Sequence, residues 1–119
     1  MKESDNIRKV ILSNEFLEYY DSLSPKIQEK YDYAINIIKK QYVVNKKFVK
    51  NLEGTIFYEL RISISSNEYR TILFAIDNDN FIQSKQVLLL NSFLKKDKKQ
   101  YKQEVKQAEK ILKQYTQED

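Results

Sequence analysis

The chain of 119 residues contains no cysteine and no histidine. A disulfide framework, a thiolate zinc site, a Ser-His-Asp triad and a Cys-His pair are therefore all excluded, and most hydrolase chemistries go with them. No apolar run approaches the roughly 20 residues that span a bilayer. The opening MKESDNIRKV also lacks the apolar core of a signal peptide. A cytoplasmic location without membrane association is expected. Glycine occurs once, at Gly54, so turns must be built from Ser, Asn and Asp. Arginine is scarce as well: Arg8, Arg61 and Arg70 are the only three among 21 basic residues.

The length suits a single domain covering residues 1–119 with one apolar core. Formal charge is +4 with a pI near 9.1. The excess is uneven, because residues 95–102 (KKDKKQYK) carry five lysines against the single acid Asp97. A polyanion is the natural partner of such a patch, although lysines on a helix also serve as a solvated face. Two of the three arginines, Arg61 and Arg70, fall inside the two predicted strands that follow the helices. A lysine-rich chain that places guanidinium groups on a sheet has a use for the planar fork, which pairs bidentately with phosphate. The alternative is a structural pair with a carboxylate such as Glu59.

Residues 7–12 (IRKVIL) read as a first strand. Ser13 or Asn14 can cap a helix over 14–23, with Phe16, Leu17, Tyr20 and Leu23 on one stripe. Ser24-Pro25 ends it and starts another, serine capping a free amide and proline standing where no donor is needed. Ile27, Tyr31, Ala34, Ile38 and Tyr42 mark its apolar face, giving an αα-hairpin. A second strand is expected to open at Glu53-Gly54, and from Phe57 the period changes to two: Tyr58, Leu60, Ile62 and Ile64 alternate with Glu59, Arg61 and Ser63. Residues 65–68 supply a turn, 69–76 (YRTILFAI) a strand and 77–80 (DNDN) another turn; 81–86 is ambiguous. The nearly unbroken apolar run in 87–94 (VLLLNSFL) predicts a central strand covered on both faces. Asp97 and Gln100 have capping-box spacing, and Tyr101, Val105, Ala108, Ile111, Leu112 and Tyr115 form the apolar face of a last helix. The order gives an α+β layer fold: an N-terminal strand and αα-hairpin on an antiparallel sheet, then a C-terminal helix.

Pairing Ile64 with Tyr69 across the turn places Ser63 opposite Arg70, with Arg61 diagonal to it on the same face. Like charges at that range are unfavourable without an anion between them, so this register predicts a phosphate site. Lys95 and Lys96 follow the last strand at the entry to a helix, where backbone amides also favour anions.

Four motifs in order carry a resemblance: Leu52-Glu53-Gly54, Tyr58-Glu59-Leu60-Arg61, Tyr69-Arg70, and Phe93-Leu94-Lys95-Lys96 followed by Lys102, Glu104 and Ala108. Together they resemble the C-terminal part of RelE-superfamily toxins of the HigB or phage Gp49-like branch. The resemblance implies a RelE-like fold and an endoribonuclease that cleaves messenger RNA with the ribosome's participation. It also implies a cognate helix-turn-helix antitoxin of the HigA type, through which alone the toxin would meet operator DNA. The family's strand arginines fall on Arg61 and Arg70 and its strand-end lysines on Lys95 and Lys96; Lys98, Lys99 and Lys102 would hold RNA. Two departures stand out. Residues 77–86 are longer than the family's usual turn, and Gln100-Tyr101 replaces a frequent Thr-Pro, so no catalytic role is carried onto Tyr101.

RNA cleavage by the 2′-hydroxyl needs a base, a proton donor to the leaving 5′-oxygen, and positive charge against the phosphorane. Histidine, the usual proton carrier, is absent. The arginines can supply only electrostatic stabilisation, whereas Lys95 or Lys96, crowded by like charges, can act as acid or base. Asp77-Asn78-Asp79 has turn composition, and neither a metal nor another cofactor is expected. The rival readings are an RNA-binding or regulatory module without catalysis, using some of the nine tyrosines for stacking, and a protein-binding domain whose lysines only solubilise it.

Overall fold

A computed structural model describes residues 6–116. Its elements are β1 (Lys9–Leu12), α1 (Asn14–Asp21), α2 (Pro25–Lys40), β2 (Val49–Asn51), β3 (Tyr58–Ile64), β4 (Asn67–Ala75), a 3-10 turn (Phe81–Gln83), β5 (Gln86–Leu94) and α3 (Lys99–Thr116). The sheet has the order β1-β5-β4-β3-β2, with β1 parallel to β5 and every other pair antiparallel. This is the expected α+β architecture. No helix among the described residues is long and apolar enough to cross a membrane.

The apolar run in β5 does what its composition requires. Residues 87–93 are all buried, and their side chains feed two cores, alternating from Val87 to Leu90 and changing phase at the register shift before Phe93. On one face Val87 and Leu89 join Phe16, Tyr31, Ala34 and Ile38 beneath the αα-hairpin. On the other, Leu88, Leu90 and Phe93 join Phe57, Ile72, Ala108 and Ile111 beneath α3. A register shift between Thr71 and Leu73 interrupts the β4–β5 ladder. Within it, between the Leu73–Leu89 and Thr71–Ser92 pairs, Asn91 donates its amide to the backbone and carboxylate oxygens of Glu104 at 3.1 and 2.8 Å, fixing α3 across the sheet.

The caps follow the sequence with one exception. Ser13 Oγ accepts from the Phe16 amide at 2.9 Å. Asp97 accepts from the Lys99 and Gln100 amides while Gln100 Oε1 accepts from the Asp97 amide, a reciprocal box at the start of α3. Ser24 precedes α2 with no side-chain cap bond, because its own carbonyl takes the Ile27 and Gln28 amides. Tyr42 lies beyond the end of α2 and is exposed, so the helix's apolar stripe stops a turn early.

Three expectations about the strands need correction. β2 was not foreseen, since three residues show no period. Gly54 does not open a strand; it sits at φ +78° in the turn joining β2 to β3. The β3–β4 turn is tighter than expected, pairing Ile64 with Asn67 through Ser65-Ser66. Ser65 makes this possible by adopting φ 58°, a left-handed conformation that glycine takes at less cost.

Arg8 explains how the long 77–86 segment is held. Its guanidinium is 1% exposed and donates to the carbonyls of Ile38, Gln41 and Tyr42 at the end of α2 and of Phe81 and Ile82 in that segment. It also lies 4.3 Å from the centre of the Phe81 ring. A cation against the carbonyl end of a helix is favourable, and here the same group ties two distant stretches together. Asp77 closes the segment's base by accepting from Ser84 Oγ at 2.7 Å and from the Lys85 and Gln86 amides.

Candidate active site

Period-two alternation places Glu59, Arg61 and Ser63 of β3 on the α3 side of the sheet, with Ile72, Arg70 and Glu68 of β4 directly opposite them. Arg61 therefore faces Arg70 squarely rather than diagonally. The shift from the expected register is two residues, which keeps every side chain on its face. The anion between the two guanidinium groups is a carboxylate of the chain itself: Glu59 Oε2 lies 3.5 Å from Arg61 Nε, and Glu59 Oε1 lies 3.5 Å from Arg70 Nε.

The two arginines differ in access. Arg70 is 3% exposed, and its Nη1 donates to Glu68 at 3.2 Å and to the Tyr69 carbonyl at 3.0 Å. Its Nε donates to the Tyr101 hydroxyl at 3.2 Å. Arg61 is about one-third exposed, 32%. Glu68 in turn accepts from Ser63 Oγ at 2.7 Å, and that bond, helped by Arg70, holds its carboxyl below the usual range.

Tyr101, in the first turns of α3, completes the group. Its hydroxyl donates to Glu59 Oε1 at 2.7 Å while accepting from Arg70, and its ring meets Phe93 edge-on at 5.6 Å. Burial pushes the phenol up to about 12; the Glu59 hydrogen bond adds to this and Arg70 opposes it. The hydroxyl is therefore protonated at neutral pH, with a cation poised to stabilise the phenolate.

Of the strand-end lysines, Lys95 is half-buried, with Nζ 5.9 Å from the centre of the Tyr101 ring, and its amide donates to the Glu68 carbonyl at 2.8 Å. Lys96 is exposed, and its amide donates to Gln100 in the α3 cap. Lys98, Lys99 and Lys102 are exposed around the start of α3. The fold thus gathers Arg61, Arg70 and Lys95 about Glu59 and Tyr101 and leaves the other lysines outside. Sequence reasoning treated Glu59 only as a structural partner and set Tyr101 aside. The Tyr58-Glu59-Leu60-Arg61 pattern was the available signal for Glu59, since i and i+2 on a strand share a face.

A crystal structure of the isolated E. coli RelE toxin aligns with 83% of this chain and 96% of that one, at 13% identity and a TM-score of 0.49. No curated protein matches the chain. The family model described as phage-derived protein Gp49-like matches residues 18–113. The chain belongs to that Gp49-like family, in agreement with the RelE-superfamily resemblance its motifs carry.

Proposed function

We propose that this protein is the toxin of a type II toxin–antitoxin pair: a metal-independent endoribonuclease of the HigB kind that cuts messenger RNA on the ribosome in the cytoplasm. A helix-turn-helix antitoxin holds it inactive and alone connects it to operator DNA. The observation that carries the reading is the single cluster of Arg61, Arg70, Lys95 and Tyr101 on the sheet at the foot of α3. It supplies cationic groups and a neutral proton donor without histidine or metal, which is what transesterification by the 2′-hydroxyl needs.

In this reading the 2′-oxygen attacks phosphorus, the P–O5′ bond breaks, and the products are a 2′,3′-cyclic phosphate and a 5′-hydroxyl. Arg61 faces the phosphorane as its charge develops. Lys95, the less exposed of the two strand-end lysines, accepts the proton of the attacking 2′-hydroxyl as the neutral amine. Tyr101 donates toward the leaving oxygen once that oxygen displaces Glu59 Oε1 as its acceptor, and Arg70, whose Nε and Nη1 atoms are committed to protein groups, positions it. Lys96, Lys98, Lys99 and Lys102 hold neighbouring phosphates.

The carboxylates of Glu59 and Glu68 beside the arginines favour the rival reading, RNA binding without cleavage. One experiment separates them. Inducing the chain alone in a bacterial host should arrest growth and shorten transcripts, with 5′-hydroxyl ends at the cuts. Co-expressing the proposed helix-turn-helix antitoxin should restore growth. Normal growth with intact messages, despite soluble expression, would sink the nuclease reading.

A further inference from the structure

A groove of about 430 Å³ runs between the β2–β3 turn and α3, with Tyr101 in its wall. We propose that this groove is a nucleobase pocket that seats the base beside the scissile phosphate and prefers bases bearing an exocyclic amino group. The proposal rests on the nuclease reading and adds a specificity subsite to it.

Four observations support it. The first is continuity: the same Tyr101 whose hydroxyl joins Glu59 and Arg70 lines the groove, so a base lying there is attached to a backbone that passes the cluster. The second is composition. Leu52 and Val105, both half-buried, give an apolar lining next to an aromatic ring, which is what an unstacked RNA base seeks. The volume falls within the range of small-ligand pockets, roughly 300–1,000 Å³.

The third is rigidity of the wall. Gly54 takes φ +78°, and an added Cβ there would meet nothing within 4 Å, so the glycine serves the turn's conformation and not its packing. Thr55 then pins the turn: its hydroxyl donates to the Leu52 carbonyl at 2.7 Å and accepts from the Phe57 amide at 3.0 Å, while the Leu52 amide donates to the Phe57 carbonyl at 2.9 Å. A preformed wall loses little entropy when a ligand arrives.

The fourth is the pattern of charge. Lys102 and Lys106 border the groove one helical turn apart, about 6 Å along the axis, a step suited to successive phosphates of an extended strand. Glu53 and Glu109 border it as well. Carboxylates only accept hydrogen bonds, so they favour the amino groups of adenine, cytosine or guanine over uracil, whose one ring N–H lies between two carbonyls that repel a carboxylate.

The test uses the full chain and 2′-O-methyl trinucleotides of adenine, cytosine or uracil, which bind without being cut. In an NMR titration the adenine and cytosine probes should shift the amides of residues 52–57 and 101–109, and the uracil probe should bind at least fivefold more weakly. Val105→Trp, which fills the groove, should abolish the shifts in 52–57. The double variant Glu53→Gln, Glu109→Gln should reduce the fivefold preference to less than twofold, and it keeps the proposal testable if the tryptophan variant fails to fold. Shifts confined to other surfaces, equal binding of uracil, or a groove filled instead by the antitoxin with RNA excluded from it would overturn the proposal. Cleavage of a mixed-sequence RNA by the unaltered protein is measured alongside. Groove binding without cleavage removes the nuclease and leaves the pocket, whereas cleavage without groove binding does the reverse.

Discussion

Arg61 and Arg70 are cross-strand neighbours held in different surroundings, and the difference decides what each can contribute. Arg70 sits among Glu59, Glu68 and Tyr101 with almost no access to solvent. Removing one member of a buried ion pair typically costs about 3–5 kcal/mol, because the other charge stays behind unpaired. Arg70→Ala is therefore expected to lower the urea midpoint strongly and to disturb the Tyr101 ring. Arg61 is one-third exposed and its only ion-pair partner among the described residues, the buried Glu59, keeps Arg70 and the Tyr101 hydroxyl when Arg61 is lost, so the half-exposed pair is worth about 1 kcal/mol or less. Arg61→Ala should barely move stability and yet cut the cleavage rate by roughly 10²–10³-fold, as losing one transition-state donor does. Arg61→Lys should restore only part of the rate, since the fork is lost. Urea curves and single-turnover cleavage of both variants, with Lys110→Ala as a surface control, measure this. If Arg61→Ala cleaves normally and Lys110→Ala does not, the chemistry lies along α3.

Among the elements, the β3–β4 hairpin is where local preference and global register disagree. Ser65 holds φ 58°, a conformation costing a side-chain-bearing residue about 1–2 kcal/mol, partly offset in serine's favour by the greater freedom of glycine in the unfolded chain. Ser65→Gly should raise stability by up to about 1 kcal/mol, visible as a higher melting temperature with cleavage unchanged; a lower melting temperature would mean that the serine hydroxyl stabilises the turn. The same hairpin shows where the sequence could be read and where it could not. The helices and β5 were legible because their apolar residues repeat over many positions and their caps are chemically distinct. The turn was placed at Ser65, but its two-residue length was not legible, because its positive φ falls on serine and no glycine marks it. β2 hid for a different reason: Val49–Asn51 is three residues long, too short for a period, and exists because β3 offers it an edge. The face shared by Arg61 and Arg70 survived the register error because strand faces repeat every two residues. Tyr101 could not be placed from sequence, since its bond to Glu59 spans 42 positions.

For the molecule as a whole, the titration of its tyrosines links the two cores and the candidate site in one measurable property. Tyr31, fully buried under the αα-hairpin, shares a 2.7 Å hydrogen bond with Ser92 Oγ, and burial raises its phenol well above the ordinary value of 10.0. Tyr19 is raised to about 12 by burial, Tyr20 to about 12 chiefly by its hydrogen bond to Asp32, and Tyr101 to about 12 by burial at the site. In every case the folded state keeps a proton that the unfolded chain gives up near pH 10. Above that pH the unfolded state binds fewer protons than the native state, so the free energy of unfolding falls as pH rises. Stability from these four groups should be fully present below pH 10 and decline through pH 12. Urea unfolding followed at intervals from pH 8 to 12, with phenolate absorbance recorded on the same samples, checks the sign and the window. Tyr31→Phe, which removes the most strongly raised of the four, should flatten the decline, although the lost bond to Ser92 lowers stability at neutral pH. A decline already complete at pH 9, or stability unchanged through pH 12, would show that these hydroxyls are not held neutral by the fold.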